Sequence, residues 1–370
     1  MEIAYEEKLK QEWENYKRNK KNEVFPTILI AGASGVGKSS LINKIFGDRY
    51  AAISDVRPET QGFHIYHGKK HNCKVNLIDS AGYETNQADT YYSAMARVLR
   101  EGLDGKQIHV VWYCISVANR RIEDFDVDVL SNILCEENIR GRLCIVFTKC
   151  DYDSEDSKIA NEFRNVIKAE LSNRNAPTRD LNFYETSGSC DLELQINDLI
   201  VWSANAVDDK DMRRCFISAQ KYNLEMKKKE AADVVNVAVV ASAGIGAVPI
   251  PFSDAPLLTA AQVKMVSSIL DVYELSNYAS ISEKIIGNIV ISNIGKSIAG
   301  SLLKMIPGAG SFLGALINGA IASSLTFALG TAISEICYRF AQNSLDGIVE
   351  DVNKLFDSNT IMALMESYKK

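Results

Sequence analysis

The chain has 370 residues, 46% hydrophobic and 24% charged, with a formal net charge of −6. That is length enough for two domains and apolar content enough for a packed core, which excludes a disordered chain. The acidic balance excludes a general nucleic-acid binder, because neutralising phosphates requires a basic face, so no nucleic-acid partner is expected.

Eight cysteines, at 73, 114, 135, 144, 150, 190, 215 and 337, form no Cys-x-x-Cys pair, and several lie inside apolar strand-like runs. Reduced, buried thiols in a cytoplasmic protein are expected. Residues 1–24 make the first predicted element. Met1 to Lys21 lacks the apolar centre of a secretory signal. Its charge pattern suits a solvated helix that packs Tyr5, Leu9, Trp13 and Tyr16 against the domain that follows.

The apolar run Thr27-Ile-Leu-Ile-Ala31 predicts a buried strand, and Gly32-Ala-Ser-Gly-Val-Gly-Lys-Ser39 follows it as a complete G-x-x-x-x-G-K-[ST] loop. Leu41 to Phe46 then reads as a helix. In such a strand–turn–helix the backbone N–H groups of Gly32, Ala33, Ser34, Gly35, Val36, Gly37 and Ser40 surround phosphates at the positive end of the helix. Lys38 would span the β- and γ-phosphates, and the Ser39 hydroxyl would take a position on the Mg²⁺ that bridges the same oxygens. The polar stretch 55–62 suits a loop over the γ-phosphate, with Thr60 completing the Mg²⁺ shell and sensing triphosphate. Val75 to Asp79 predicts a strand that ends in Asp79-Ser-Ala-Gly82. Asp79 would hold Mg²⁺ through water, and the Gly82 N–H would donate to the γ-phosphate.

A further strand, 141–147, ends in Thr148-Lys149-Cys150-Asp151. A carboxylate at Asp151 accepts from guanine N1–H and the 2-amino group, donors that adenine does not present together, while the Lys149 stem covers the purine face. Beyond residues 181–184, Ser187 and Gly188 lie in a turn, Glu185-Thr-Ser-Gly-Ser189, whose N–H groups could receive guanine O6.

The ordered set GASGVGKSS, Thr60, DSAG, TKCD and ETSGS resembles the five guanine-nucleotide motifs of the translation-factor-like and Era-like P-loop GTPases over about residues 25–205. The resemblance implies an α/β fold: a Rossmann-like domain with a mainly parallel sheet, Mg²⁺ as cofactor, and GTP and GDP as substrate and product at the strand C-termini. Lys38 and Thr60 are the catalytic candidates. Two departures matter. Where Ras-like enzymes place a water-orienting glutamine this chain has Tyr83, and Gly35 stands where some Era-like members carry a potassium-holding asparagine. The remaining water-positioning candidates are Gln61, Arg57, Glu84 and a group from a second subunit. Hydrolysis is therefore expected to be slow without a homodimer through these domains or another partner.

The tract 64–73 holds His64, His67, His71 and Cys73. Its alternation predicts a β-hairpin with a polar tip and the histidines at solvent, with a metal site as the weaker reading. His109 opens a buried strand and is expected to be structural. Arg120 and Arg121 follow that strand and could face either the nucleotide or a neighbour.

After about residue 205 the composition changes, and 206–370 is expected to form an apolar, all-α domain. Val234–Ser253 and Met305–Ser334 carry no charged residue. Each is long enough to span a bilayer, yet rich in Gly, Ala and Ser, which serves a membrane hairpin and a tight soluble bundle equally well. The intervening Leu257–Tyr273 is amphipathic. P-I-P-x-x-D-A-x-x-L-x-x-x-Q-x-x-M at 249–265, with later K-x-I-P-G-A-G and A-L-G-x-A, resembles the domain of unknown function 697 over roughly 215–345. The layout is also similar to immunity-related GTPases, which implies membrane lipid as a partner of the C-terminal helices and nucleotide-dependent self-assembly. The expected function is a GTP-binding and GTP-hydrolysing switch, cytoplasmic and peripheral or integral at a membrane. The alternatives are a nucleotide-gated interaction module with negligible hydrolysis and, disfavoured by the acidic balance, a ribosome-assembly GTPase.

Overall fold

A computed structural model describes residues 11, 14–16, 18–20, 22–47, 50, 62–80, 88–139, 141–152, 157–188, 194–245, 255–275, 319–348 and 350–368. The chain divides into two compact units: Val24–Asn223, and Met1–Glu23 with Leu224–Lys370.

The first unit is built on a six-stranded sheet of order β2-β3-β1-β4-β5-β6. Its strands are β1 (Thr27–Ala31), β2 (Phe63–Tyr66), β3 (Asn76–Ser80), β4 (Val110–Ser116), β5 (Leu143–Thr148) and β6 (Asn182–Glu185). Only the β2–β3 pair is antiparallel. The mainly parallel sheet expected from the sequence is thus the one observed. All residues of β1, β4 and β5 are buried, which is why these strands read as unbroken apolar runs and not as alternating ones.

Helix α1 (Lys38–Phe46) lies on one face and buries Leu41, Ile42, Ile45 and Phe46. Phe46 stacks on Trp112 of β4, ring centroids 6.2 Å apart and 12° from parallel. The Trp112 Nε1–H, fully buried, donates to Ser203 Oγ at 2.9 Å on α5 (Ile196–Asn205), so this large side chain loses no hydrogen bond on burial. On the opposite face, α2 (Ala88–Glu101), α3 (Asp124–Cys135) and α4 (Lys158–Asn173) cover Leu29, Ile78, Val111, Ile145 and Phe147. Helix α6 (Lys210–Ala219) also belongs to this unit, beyond the change of composition near residue 205. Its Phe216 meets Phe46 edge-on at 6.1 Å, and the Lys221 N–H that follows donates to Ile45 O at 2.8 Å. That ring contact and backbone hydrogen bond hold the segment to this unit despite its charged surface.

The β2–β3 hairpin forms, with a short helical turn at Gly68–His71 between its strands. Its histidines, however, are half-buried and not simply at solvent. The His67 Nε2 lies 2.9 Å from the Asp104 carboxylate, His64 packs on Tyr66 at 4.2 Å, and His71 on Tyr50 at 5.0 Å, because the flat imidazoles find aromatic faces to cover. Among the described residues no group of three His, Cys, Asp or Glu side chains is placed to hold a metal ion.

The second unit contains α7 (Leu224–Ile245), α8 (Ala255–Val272), α9 (Gly319–Leu345), α10 (Val352–Leu355) and α11 (Ser358–Ser367). Its core joins Ala231, Val235, Val266, Ile269, Ile333 and Ile336. Helices α7, α8 and α9 meet at Gly330, where a Cβ would lie 2.6 Å from Val235 Cγ2 and 2.8 Å from Met265 Sδ. Stiff, β-branched Val235 cannot yield, so only glycine permits this approach. The N-terminal segment belongs here. Tyr16 OH donates to Ser267 O at 3.1 Å and Lys20 pairs with Asp271 at 2.7 Å, which corrects the expectation that Tyr16 faces the nucleotide domain. Tyr5, Leu9 and Trp13 lie outside the described residues. No helix among the described residues is long and apolar enough to cross a membrane. The two uncharged runs are described only in part, since 246–254 and 301–318 lie outside. The first run shares α7 with Lys227, Lys228, Lys229, Glu230 and Asp233, which lowers that helix's mean hydropathy.

His109 is structural, as expected: its Nδ1 accepts the Thr27 N–H at 3.1 Å, at the start of β1. Burial, and then the positive charge of Arg142, hold this imidazole below its ordinary range. The unfolded chain therefore takes up the proton more readily, so the contribution is fully present above the ordinary histidine range near 6.5 and is lost as pH falls below it. His109→Asn keeps an acceptor that does not titrate. Its melting temperature should drop less between pH 7.5 and 5.5 than that of the parent chain; equal drops in thermal denaturation would show that His109 does not carry the effect.

Candidate nucleotide site

The site begins where β1 ends. At Gly32 the backbone sits at φ 131°, and a Cβ there would lie 2.2 Å from the Cys114 carbonyl oxygen of β4. The chain thus leaves β1 in contact with the neighbouring strand and turns back toward α1, which it enters through Gly37 at φ 106°. Lys38 opens that helix, yet its side chain is only 7% exposed and curls back over the loop. Its Nζ donates to Gly32 O and Ala33 O, each at 3.0 Å. These neutral carbonyls leave a buried cation without an anionic partner among them, and phosphate oxygens are the stronger acceptors. Ser34 and Gly35 are exposed at the tip, Val36 is buried beneath it, and Ser39 and Ser40 stand in the first turn of α1.

Asp79 comes from β3, beside Ile30 of β1. Its Oδ1 is buried and has no hydrogen-bond partner among the described residues. Burial pushes this carboxyl up to about 6, and the nearby Lys38 opposes the shift. A buried carboxylate oxygen that lacks a donor is suited to a hydrated cation. The residues therefore fit Mg²⁺: Ser39 and Asp79 would hold it, and when bound it would neutralise charge on the phosphate oxygens. Thr60 and Gly82, with Arg57, Gln61, Tyr83 and Glu84, lie outside the described residues.

The base end is assembled from two loops. Thr148 closes β5, and its hydroxyl donates to Val36 O at 2.5 Å, tying this loop to the phosphate loop. Lys149 adopts the left-handed conformation at φ 56°, and its Nζ donates to Gly35 O at 2.7 Å, so the aliphatic stem is drawn toward the phosphate loop. Asp151 accepts the Ser187 hydroxyl at 2.5 Å. Backbone bonds from Thr186 N–H to Phe147 O at 2.7 Å and from Cys150 N–H to Thr186 O at 3.1 Å fasten the two loops together. Between them lies a cavity of about 300 Å³ lined by Gly37, Ser40, Thr148, Lys149, Asp151, Ser187 and Gly188. Leu41, Ala118 and Thr186 line it too and were missed. Ala118 was findable, since it follows the apolar run of β4 at the strand end where the other loops gather. Of the two arginines beyond it, Arg121 turns to Glu123 at 2.6 Å.

Residues 27–149 match the family model described as 50S ribosome-binding GTPase. Sheet, phosphate loop and match define this part of the chain as a P-loop GTPase domain. The chain is 35% identical over 78 residues to GTPase Der of Leptothrix cholodnii, covering 21% of this chain and 17% of that protein. It is 26% identical over 226 residues to GTPase Der of Wolinella succinogenes, covering 60% of this chain and 45% of the relative. The chain thus spans less than half the length of these curated relatives. Among solved structures, Toc33 of Arabidopsis thaliana aligns at TM-score 0.34 and 19% identity, over 56% of this chain and 93% of that one.

Removing the orphaned charge separates folding from function. Asp79→Asn should stabilise the nucleotide-free protein at pH 7.5 by about 1–2 kcal/mol, since an amide is far less costly to bury than a carboxylate. The same variant should lose the Mg²⁺ dependence of nucleotide affinity. Denaturant titration and nucleotide binding with and without Mg²⁺ check both; a destabilised variant would mean that Asp79 has a partner after all.

Proposed function

We propose that the chain is a GTP-binding and GTP-hydrolysing switch whose nucleotide domain controls the helical unit. The observation that carries this reading is the joined pair of loops around the 300 Å³ cavity, with the Asp151 carboxylate at one end and Lys38 and Asp79 on the phosphate side. Asp151 supplies the acceptor that guanine N1–H and the 2-amino group require. Thr60 and Gly82 would close on the γ-phosphate and release after hydrolysis.

Hydrolysis is slow in the isolated chain on this reading, because Tyr83 replaces a water-orienting amide and Gly35 carries no side chain to hold a monovalent cation. A second copy, docked through its nucleotide domain, would complete the site. The output is self-assembly or contact with a lipid surface through the helical unit. Val237 and Val240 on α7 and Phe327 on α9 support an output of this kind, being 66%, 73% and 44% exposed. The resemblance of the layout to immunity-related GTPases, which act at membranes, would point the same way. Ribosome binding, named in the description of the matching family, is disfavoured by the net charge of −6. The same missing glutamine favours one second reading, a nucleotide-gated interaction module with negligible turnover.

Single-turnover hydrolysis measured across protein concentration, with and without anionic vesicles, distinguishes the two. The switch reading predicts a rate per molecule that rises with concentration or with vesicles, and sedimentation of the protein that differs between GDP and a non-hydrolysable GTP analogue. Flat, negligible rates with nucleotide-dependent sedimentation would establish the interaction module, and no nucleotide dependence of either kind would defeat both.

A further inference from the structure

We propose that Lys44 is a positioning residue for guanine recognition, holding the base loop from the far end of the phosphate-binding helix. This rests on the guanine-nucleotide reading of the site and extends it to a residue outside every nucleotide motif. Lys44 lies in the last turn of α1, six residues beyond Lys38. Its Nζ donates to the Ser187 carbonyl oxygen at 3.1 Å. The hydroxyl of that same Ser187 donates to Asp151. Ser187 is 1% exposed, so both of its polar groups are fixed by these partners inside the fold.

The ammonium is itself confined, because the Tyr222 ring lies 5.8 Å from it, within range of a cation–π contact. The backbone of the preceding Lys221 is bonded to Ile45 O at 2.8 Å, which keeps that ring beside the helix end. One rigid helix thus carries Lys38 and Ser39 at its phosphate end and Lys44 under the base loop. A charge-assisted bond to the Ser187 carbonyl fixes the peptide that leads into Gly188, a residue of the cavity lining whose N–H the guanine reading assigns to O6. Through the Ser187 hydroxyl it also fixes the orientation of Asp151. Lysine combines charge and reach: a shorter or neutral side chain loses this charge-assisted bond to the Ser187 carbonyl.

The test compares ligands that share phosphates and differ in the base. Full-length protein is titrated with GDP, with 6-thio-GDP, whose sulfur is a weaker acceptor at position 6, with ADP and with inorganic pyrophosphate. Lys44→Met should bind GDP about tenfold more weakly, discriminate less between GDP and 6-thio-GDP, and bind pyrophosphate within about twofold of the parent. Lys44→Arg, which keeps the charge and the donors, should recover most of the GDP affinity. Unchanged GDP affinity in Lys44→Met overturns the proposal. So does a parallel loss of GDP and pyrophosphate, which is the signature of a merely structural role. If the parent chain itself shows no preference for GDP over ADP, the guanine reading fails first and this inference with it.

Discussion

The close approach of β1 to β4 at Gly32 is the constraint on which the nucleotide domain depends. With the Cys114 carbonyl occupying the space a side chain would need, the chain can turn only through glycine. That turn aims α1 across the C-terminal ends of the strands. Lys38, beyond β1, then converges with Thr148 and Asp151, at the end of β5, because parallel strands end on one side of the sheet and their loops must meet there. Hydrogen bonds from Thr148 to Val36 and from Lys149 to Gly35 lock the base loop to the phosphate loop, so neither end of the site is set independently.

Two charges stand out in this arrangement. Lys38 donates to neutral carbonyls, and the nearby Asp79 keeps a buried oxygen with no donor among the described residues. On the proposed reading, a phosphate with its cation relieves both. The pair is a stability cost concentrated where binding returns it, the usual relation between a strained site and its ligand.

Much of this was legible in the chain. Buried parallel strands must be apolar on both faces, so Thr27–Ala31 and Leu143–Thr148 announce themselves, and a loop whose backbone wraps phosphate must carry glycine at fixed intervals. What could not be read was which surface meets which. Amphipathic spacing says that one side of the N-terminal helix is covered, but not that Tyr16 would reach Ser267. Charge made residues 210–219 look like the start of a new domain, while a single phenylalanine, Phe216, packs them against Phe46. Lys44 carries no motif at all. Its place under the base loop comes from the length of one helix, which only the folded chain displays.

On the proposed reading, Asp151 selects guanine by accepting from its N1–H and 2-amino group. Asp151→Asn presents an amide in the same place, which can donate to the 2-carbonyl of xanthine but no longer accepts both guanine donors. Comparing affinities for GDP and xanthosine diphosphate in parent and variant tests this directly. The preference should reverse in favour of xanthosine diphosphate. A variant that still prefers GDP as strongly as the parent would contradict it.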